Sequence, residues 1–137
     1  MSLFASADEV YATIGELCRR MLDDAELGPL LAGLDMSMRM EIADPECAIT
    51  LDCRGATPTV DLGAVDYPID TELKMTAEVA HRLWLGTINP TLAMASRKIK
   101  PSGNIKKAMG LSQILGPASE MYRSLLVGSG RSDLLSE

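Results

Sequence analysis

Three cysteines, Cys18, Cys47 and Cys53, and one histidine, His81, are the groups in this 137-residue chain best suited to nucleophilic or base chemistry near neutral pH. A thiolate beside an imidazole would make a nucleophilic pair, and thiols clustered with an imidazole would make a zinc site. The spacing supports neither. Zinc ligation uses short steps such as Cys-x-x-Cys, and none occurs. Cys47 and Cys53 fall in step on the apolar side of an alternating run, the place of a small buried hydrophobe. His81 stands alone in a helical stretch, where histidine more often packs or faces solvent than acts as a base. The chain has no Gly-x-x-x-x-Gly-Lys-Ser/Thr loop and no Gly-x-Gly-x-x-Gly turn. Its 19 carboxylates lie mostly on polar strand faces and in first helical turns, where solvation explains them. No catalytic residue, metal or cofactor is assigned. A small Cys- or His-dependent enzyme is the least favoured reading.

With no reactive constellation to position, the elements are read for the interior they enclose. Ser6-Ala7-Asp8-Glu9 has the form of a capping box. It opens a helix with the stripe Val10, Ile14, Leu17 and Met21, widened by Tyr11, Cys18 and Leu22, and Gly28-Pro29 is expected to end any helix there. Met36, Met38, Met40 and Ile42 then alternate with Ser37, Arg39 and Glu41, as in a half-buried strand. After a turn at Asp44-Pro45, Cys47, Ile49, Leu51 and Cys53 continue the alternation. Val60, Leu62 and Ala64 outline a third strand, and Ile69, Thr71, Leu73 and Met75 a fourth. By pattern alone these four strands form an antiparallel meander with one wet face.

At Thr76 the period changes. Thr76 caps a helix that carries Val79, Leu83 and Trp84 and closes at Gly86. Asn89-Pro90 starts a short helix with Leu92, Ala93 and Met94. Lys98-Ile99-Lys100-Pro101 is a brief strand whose proline places it at an edge. Beyond Gly103-Asn104 comes a helical region with Ile105, Ala108, Met109, Ile114 and Leu115, expected to break at Gly116-Pro117. A last helix carries Ala118, Met121, Tyr122, Leu125 and Leu126, and from about residue 128 the chain is expected to fray. The class is α+β, one domain over residues 1–137, with helices gathered on one side of a sheet.

Composition narrows the partners. The apolar fraction is 47%, with nine Met against one Trp, one Phe and three Tyr. Methionine is flexible and polarizable, so a Met-rich interior adapts to irregular contents. A net charge of −6 and a pI near 4.8 argue against nucleic acid and against strong attachment to anionic membranes. No secretory leader and no run of eighteen apolar residues is present. The cysteines suit a reducing compartment, so cytoplasm is the expected location.

The stretch Leu73-Lys74-Met75-Thr76, Gly86, Asn89-Pro90, Ala93, Lys98-Ile99-Lys100, Gly103-Asn104 and Ala108-Met109 resembles the core signature of the sterol carrier protein 2 family. Arg97 departs from it, standing where the family usually has Gly, and Pro101 replaces an apolar strand residue. The resemblance implies a five-stranded, mostly antiparallel sheet of order 3-2-1-4-5, covered on one face by helices with an apolar tunnel between. It implies a non-catalytic carrier of a sterol, fatty acid, acyl-CoA or related lipid, with transient membrane contact. The runner-up is an accessory module presenting isoprenoid or steroid intermediates to a partner enzyme, or mediating a homodimer. Expected lining residues are Leu73, Met75, Leu83, Trp84 and Ile88, then Met94, Ile99, Ile105, Met109 and Leu111. Ile114, Leu115, Met121 and Tyr122 would form a lid. Arg97 and Lys98 are the candidates for a lipid headgroup.

Overall fold

The computed structural model describes residues 3–55 and 57–136. Five strands form one sheet: β1 (Ser37–Ala43), β2 (Cys47–Asp52), β3 (Thr59–Leu62), β4 (Thr71–Thr76) and β5 (Lys100–Gly103). Their order is β3-β2-β1-β4-β5. Three of the pairings are antiparallel, and β1 with β4 is parallel. The simple meander is therefore corrected: β4 does not continue beside β3 but crosses to the far side of β1. Burial supplies the reason. In the observed register Met40 lies beside Leu73 and Ile42 beside Met75, which extends one apolar face through the middle of the sheet. Beside β3 the same residues would meet a short strand whose Leu62 is half exposed.

Asp70 fastens this crossing. Its carboxylate accepts from the Ser37 N–H at 3.0 Å, and its own N–H donates to the Ser37 hydroxyl at 2.9 Å. Its carbonyl accepts from Asn104 N–H at 2.9 Å, so one residue ties together the starts of β1 and β4 and the end of β5.

The first helical segment runs through α1 (Ala7–Val10), a π-helical turn (Tyr11–Gly15) and α2 (Glu16–Asp23). Inside it the Thr13 hydroxyl donates to the Glu9 carbonyl at 2.8 Å, competing for an acceptor of the α ladder. Ser6 takes the N-cap position without a side-chain bond, so the capping box does not form. Glu9 pairs instead with Arg131 at 3.1 Å. Gly28-Pro29 does not stop a helix. It lies in the first turn of α3 (Leu27–Ala32), where a proline costs little because those N–H groups have no intrahelical acceptor.

The second half follows its cap signals closely, although its strand begins two residues later than expected, at Lys100 instead of Lys98. α4 (Ala77–Leu85) starts with Thr76 Oγ1 accepting from Val79 N–H and ends at Gly86, whose φ is 86°. α5 (Pro90–Ala95) is capped by Asn89. α6 (Ile105–Ala108) is capped by Asn104, and a 3₁₀ turn (Met109–Leu111) leads into α7 (Ser112–Gly128). Gly116-Pro117 leaves α7 continuous, because Ile114, Ala118, Tyr122 and Leu125 are buried along one face and packing outweighs one lost ladder bond.

Nor is the segment from 128 a loose tail. A 3₁₀ turn (Ser132–Ser136) docks Leu134 into the core at 2% exposure, and Arg131 pairs with both Glu9 and Asp133.

Candidate functional site

The apolar face of β1 and β4 does not pack flush against its helices. Between them lies a cavity of about 250 Å³. Met38, Met40 and Leu73 form its floor, from the central pair of strands. Leu83 and Trp84 of α4, Met94 of α5 and the buried Ile99 close its sides. Met109, Leu111 and Leu115 cover it from the turn before α7 and from α7's first turn. Asn89, Pro90, Thr91 and Ser112 complete the lining.

Each wall has a local cause. The alternation of β1 and β4 points Met38, Met40 and Leu73 to one side. Gly86 ends α4 in a left-handed cap, and Trp84, two residues before it, lies over the floor, where its indole N–H donates to Met40 Sδ at 3.2 Å. Leu111 and Leu115 are four residues apart and face the same way.

Among the described residues no charged side chain lines this space. Asn89 Oδ1 is occupied as a helix cap, accepting from Leu92 N–H at 3.1 Å, and the Ser112 hydroxyl donates to the Met109 carbonyl at 3.0 Å. Apart from these groups, the Asn89 amide nitrogen and the Thr91 hydroxyl, the lining side chains are hydrocarbon, thioether and the Trp84 indole. Four of the nine methionines, Met38, Met40, Met94 and Met109, share the lining, so the cavity can change shape by side-chain rotation. Such a site can hold an apolar group. Among the described residues its lining includes no His, Cys, Tyr or charged side chain.

Eight expected lining residues meet here: Leu73, Leu83, Trp84, Met94, Ile99, Met109, Leu111 and Leu115. The others go elsewhere. Met75 borders a second groove, Ile88 is half buried outside the cavity, and Ile105 is 42% exposed. Ile114 and Tyr122 are fully buried in the core and Met121 is partly buried against it, and none of the three borders the cavity, so no lid forms from them. Tyr122 shares the face of Leu115, seven residues on, but stands about 10 Å further along α7, where its hydroxyl meets His81. Met38 and Met40 were missed. Their alternation marked them as inward-facing, and the strand order implied by the family resemblance puts them beside Leu73.

The reactive groups lie outside the cavity. His81 is fully buried, with Nδ1 2.8 Å from the Tyr122 hydroxyl and Nε2 2.9 Å from the Leu134 carbonyl. A carbonyl only accepts, so Nε2 carries a proton and, in the neutral ring, Nδ1 accepts from Tyr122. Phe4 packs edge-on against the ring at 5.9 Å. This histidine pins α4, α7 and the carboxyl-terminal turn together. Burial pushes the Cys18 thiol up to about 12 and those of Cys47 and Cys53 up to about 11, so none is a thiolate at neutral pH. Among the described residues no group of His, Cys, Asp and Glu could hold a metal ion.

Arg97 and Lys98 do not border the apolar cavity. They line the second groove, a wider and more open space of about 900 Å³ that also takes in Arg39, Glu41, Glu46 and Lys74. There Arg39 holds the Glu72 carboxyl below the usual carboxylate range. Arg97 itself adopts φ +63°, a left-handed conformation that favours glycine, the residue the family usually has there.

A model of the SCP-2 sterol transfer family matches residues 14–116. No curated protein matches the chain. Among solved structures it is similar to sterol carrier protein domain 2 of Helicoverpa armigera, with TM-score 0.66 and 21% identity over 88% of this chain and 95% of that one. The apo form of Sterol Carrier Protein 2 from Yarrowia lipolytica gives TM-score 0.65 and 20% identity over 87% and 98%. Palmitated SCP2L2 from Aedes aegypti gives TM-score 0.58 and 21% identity over 77% and 93%.

Proposed function

Since the chain belongs to the SCP-2 sterol transfer family, a family of lipid-binding and lipid-transfer domains, we propose that it is a non-catalytic carrier whose ligand inserts an acyl chain into the cavity beneath α4 and α5. The observation that carries this reading is an uncharged, thioether-rich cavity of about 250 Å³. A dry apolar cavity of ~150 Å³ already takes up benzene, and sites for drug-sized molecules begin near ~300 Å³. The space therefore suits the end of a flexible chain better than a rigid fused-ring body, and methionine rotation can lengthen it. The palmitated relative supports a fatty acyl ligand.

Each methylene withdrawn from water contributes ~0.8 kcal/mol, so a sixteen-carbon chain taken up along its whole length, once methionine rotation extends the cavity, yields on the order of 13 kcal/mol before costs. Immobilising the ligand removes ~4 kcal/mol or more. Burial alone can then hold the ligand at micromolar concentration or tighter, which is why no polar recognition motif is needed.

The test is a titration with palmitate and, separately, with cholesterol, read in the wild type through Trp84, the only tryptophan and a lining residue. Saturable binding of palmitate is expected, with cholesterol weaker. Leu115→Trp, which fills the cavity from a half-buried position, should weaken palmitate binding at least about tenfold by calorimetry. Failure of both lipids to bind ends the carrier proposal. Unchanged palmitate binding by the folded variant would place the ligand elsewhere.

A further inference from the structure

From Val79 to Ser119 the chain contains no Asp or Glu, although acidic residues outnumber basic ones 19 to 13 in the whole sequence. Seven of the thirteen basic residues stand in ion pairs. Of the other six, five fall within residues 97–107: Arg97, Lys98, Lys100, Lys106 and Lys107. All five are exposed, and none makes an ion pair among the described residues. Lys107 Nζ donates to the backbone carbonyl of Asp35 at 2.8 Å and pairs with no carboxylate within 4 Å among the described residues. Arg97, Lys98 and Lys100 share their groove with Glu41 and Glu46, so Lys106 and Lys107 are the least compensated of the set.

The same stretch exposes its oil. Leu92 is 66% exposed, Met109 46% and Ile105 42%. Met109 lines the apolar cavity, and Ile105 precedes it by one helical turn. Leu92 follows Thr91, which lines the cavity from α5. Apolar side chains thus stand out on both lips of the opening, with Lys106 and Lys107 between two of them. Exposed apolar residues interleaved with free cations are the composition of a surface that enters the headgroup region of an anionic bilayer.

We infer that these lips, Leu92 on one side and Ile105 to Met109 on the other, dock on an anionic lipid bilayer and bring the cavity mouth against it. The inference deepens the carrier reading and rests on it for its purpose, since a bilayer is where an acyl ligand is collected or delivered. The protein's overall negative charge repels such a surface, so the patch also orients the encounter: this side approaches, and the rest is held off.

The test is co-sedimentation of the full chain with vesicles of phosphatidylcholine alone and of phosphatidylcholine mixed with phosphatidylglycerol. Binding should favour the mixed vesicles and weaken as salt shortens the screening length from about 8 Å at 0.15 M to about 3 Å at 1 M. K106E/K107E should lower that binding roughly thirtyfold or more. R19E/R20E, which changes net charge equally outside the patch, should lower it much less. L92S/I105S should weaken binding to both kinds of vesicle. None of these residues lines the cavity, so uptake of a fluorescent fatty acid in vesicle-free solution should match the wild type in every variant. No preference for mixed vesicles, or wild-type sedimentation by K106E/K107E, overturns the docking surface, and intact fatty acid uptake would then leave the carrier reading standing. Vesicle binding without fatty acid uptake in the wild type would instead support the surface and remove the carrier.

Discussion

At the scale of single residues, Arg97 is where local conformation and local chemistry disagree. Its φ of +63° puts Cβ in a region that costs a non-glycine residue ~1 kcal/mol, and its guanidinium has no ion-pair partner among the described residues to offset this. Arg97→Gly should therefore raise unfolding stability by about 0.5–1 kcal/mol in urea denaturation, with the slope unchanged. A neutral or destabilising result would mean that the arginine stem contributes packing or solvation that the backbone cost conceals. His81 teaches the reverse lesson. It is the residue a search for a base would choose first, yet both ring nitrogens are committed to Tyr122 and Leu134 within the core.

At the scale of elements, the edge pairing of β4 with β5 depends on one glycine. Gly103 has φ +84°, and a Cβ there would stand 2.1 Å from the Asp70 carbonyl oxygen. That oxygen accepts from Asn104 N–H, and Asp70 also anchors β1, so a shift at Gly103 would disturb three strands. Gly103→Ala should cost more than about 2 kcal/mol and lower Tm by on the order of 10 °C. A loss under 1 kcal/mol would show that the edge yields easily. The short helices around the cavity rely on side-chain caps: Thr76, Asn89 and Asn104 each accept from a backbone N–H three residues on. These elements are too short to persist alone, so caps set where they begin and packing keeps them.

At the scale of the whole molecule, an acidic chain is stabilised by arginine–carboxylate pairs spread over its surface. Arg19, helped by Arg20, holds the Glu16 carboxyl near about 2, and Arg39, Arg54 and Arg131 lower those of Glu72, Asp52 and Asp133. A carboxyl whose folded value is depressed stabilises the fold above its unfolded value and loses that contribution as pH falls toward the folded one. Tm should therefore be level from neutral pH down to about pH 5 and decline between about pH 4.5 and pH 2. Glu16→Gln should make that decline shallower, and an identical decline would remove Glu16 from the account.

Much was legible in the linear pattern, because it rests on contacts between near neighbours. Period-two runs marked β1, β2 and β4, and Thr76, Gly86, Asn89-Pro90 and Gly103-Asn104 marked the turns and caps of the second half. The pairing of β4 with β1 came only through the family resemblance, and the unbroken course of α7 through Pro117 and the docking of Leu134 were not legible. Each is settled by apolar surface contributed from a distant part of the chain, which no local propensity encodes. The cavity falls between these cases. Its residue types were visible, and the strand order implied by the family resemblance placed Met38 and Met40 beside Leu73, but which residues of α7 would close it depended on where that helix crosses the sheet in the folded protein.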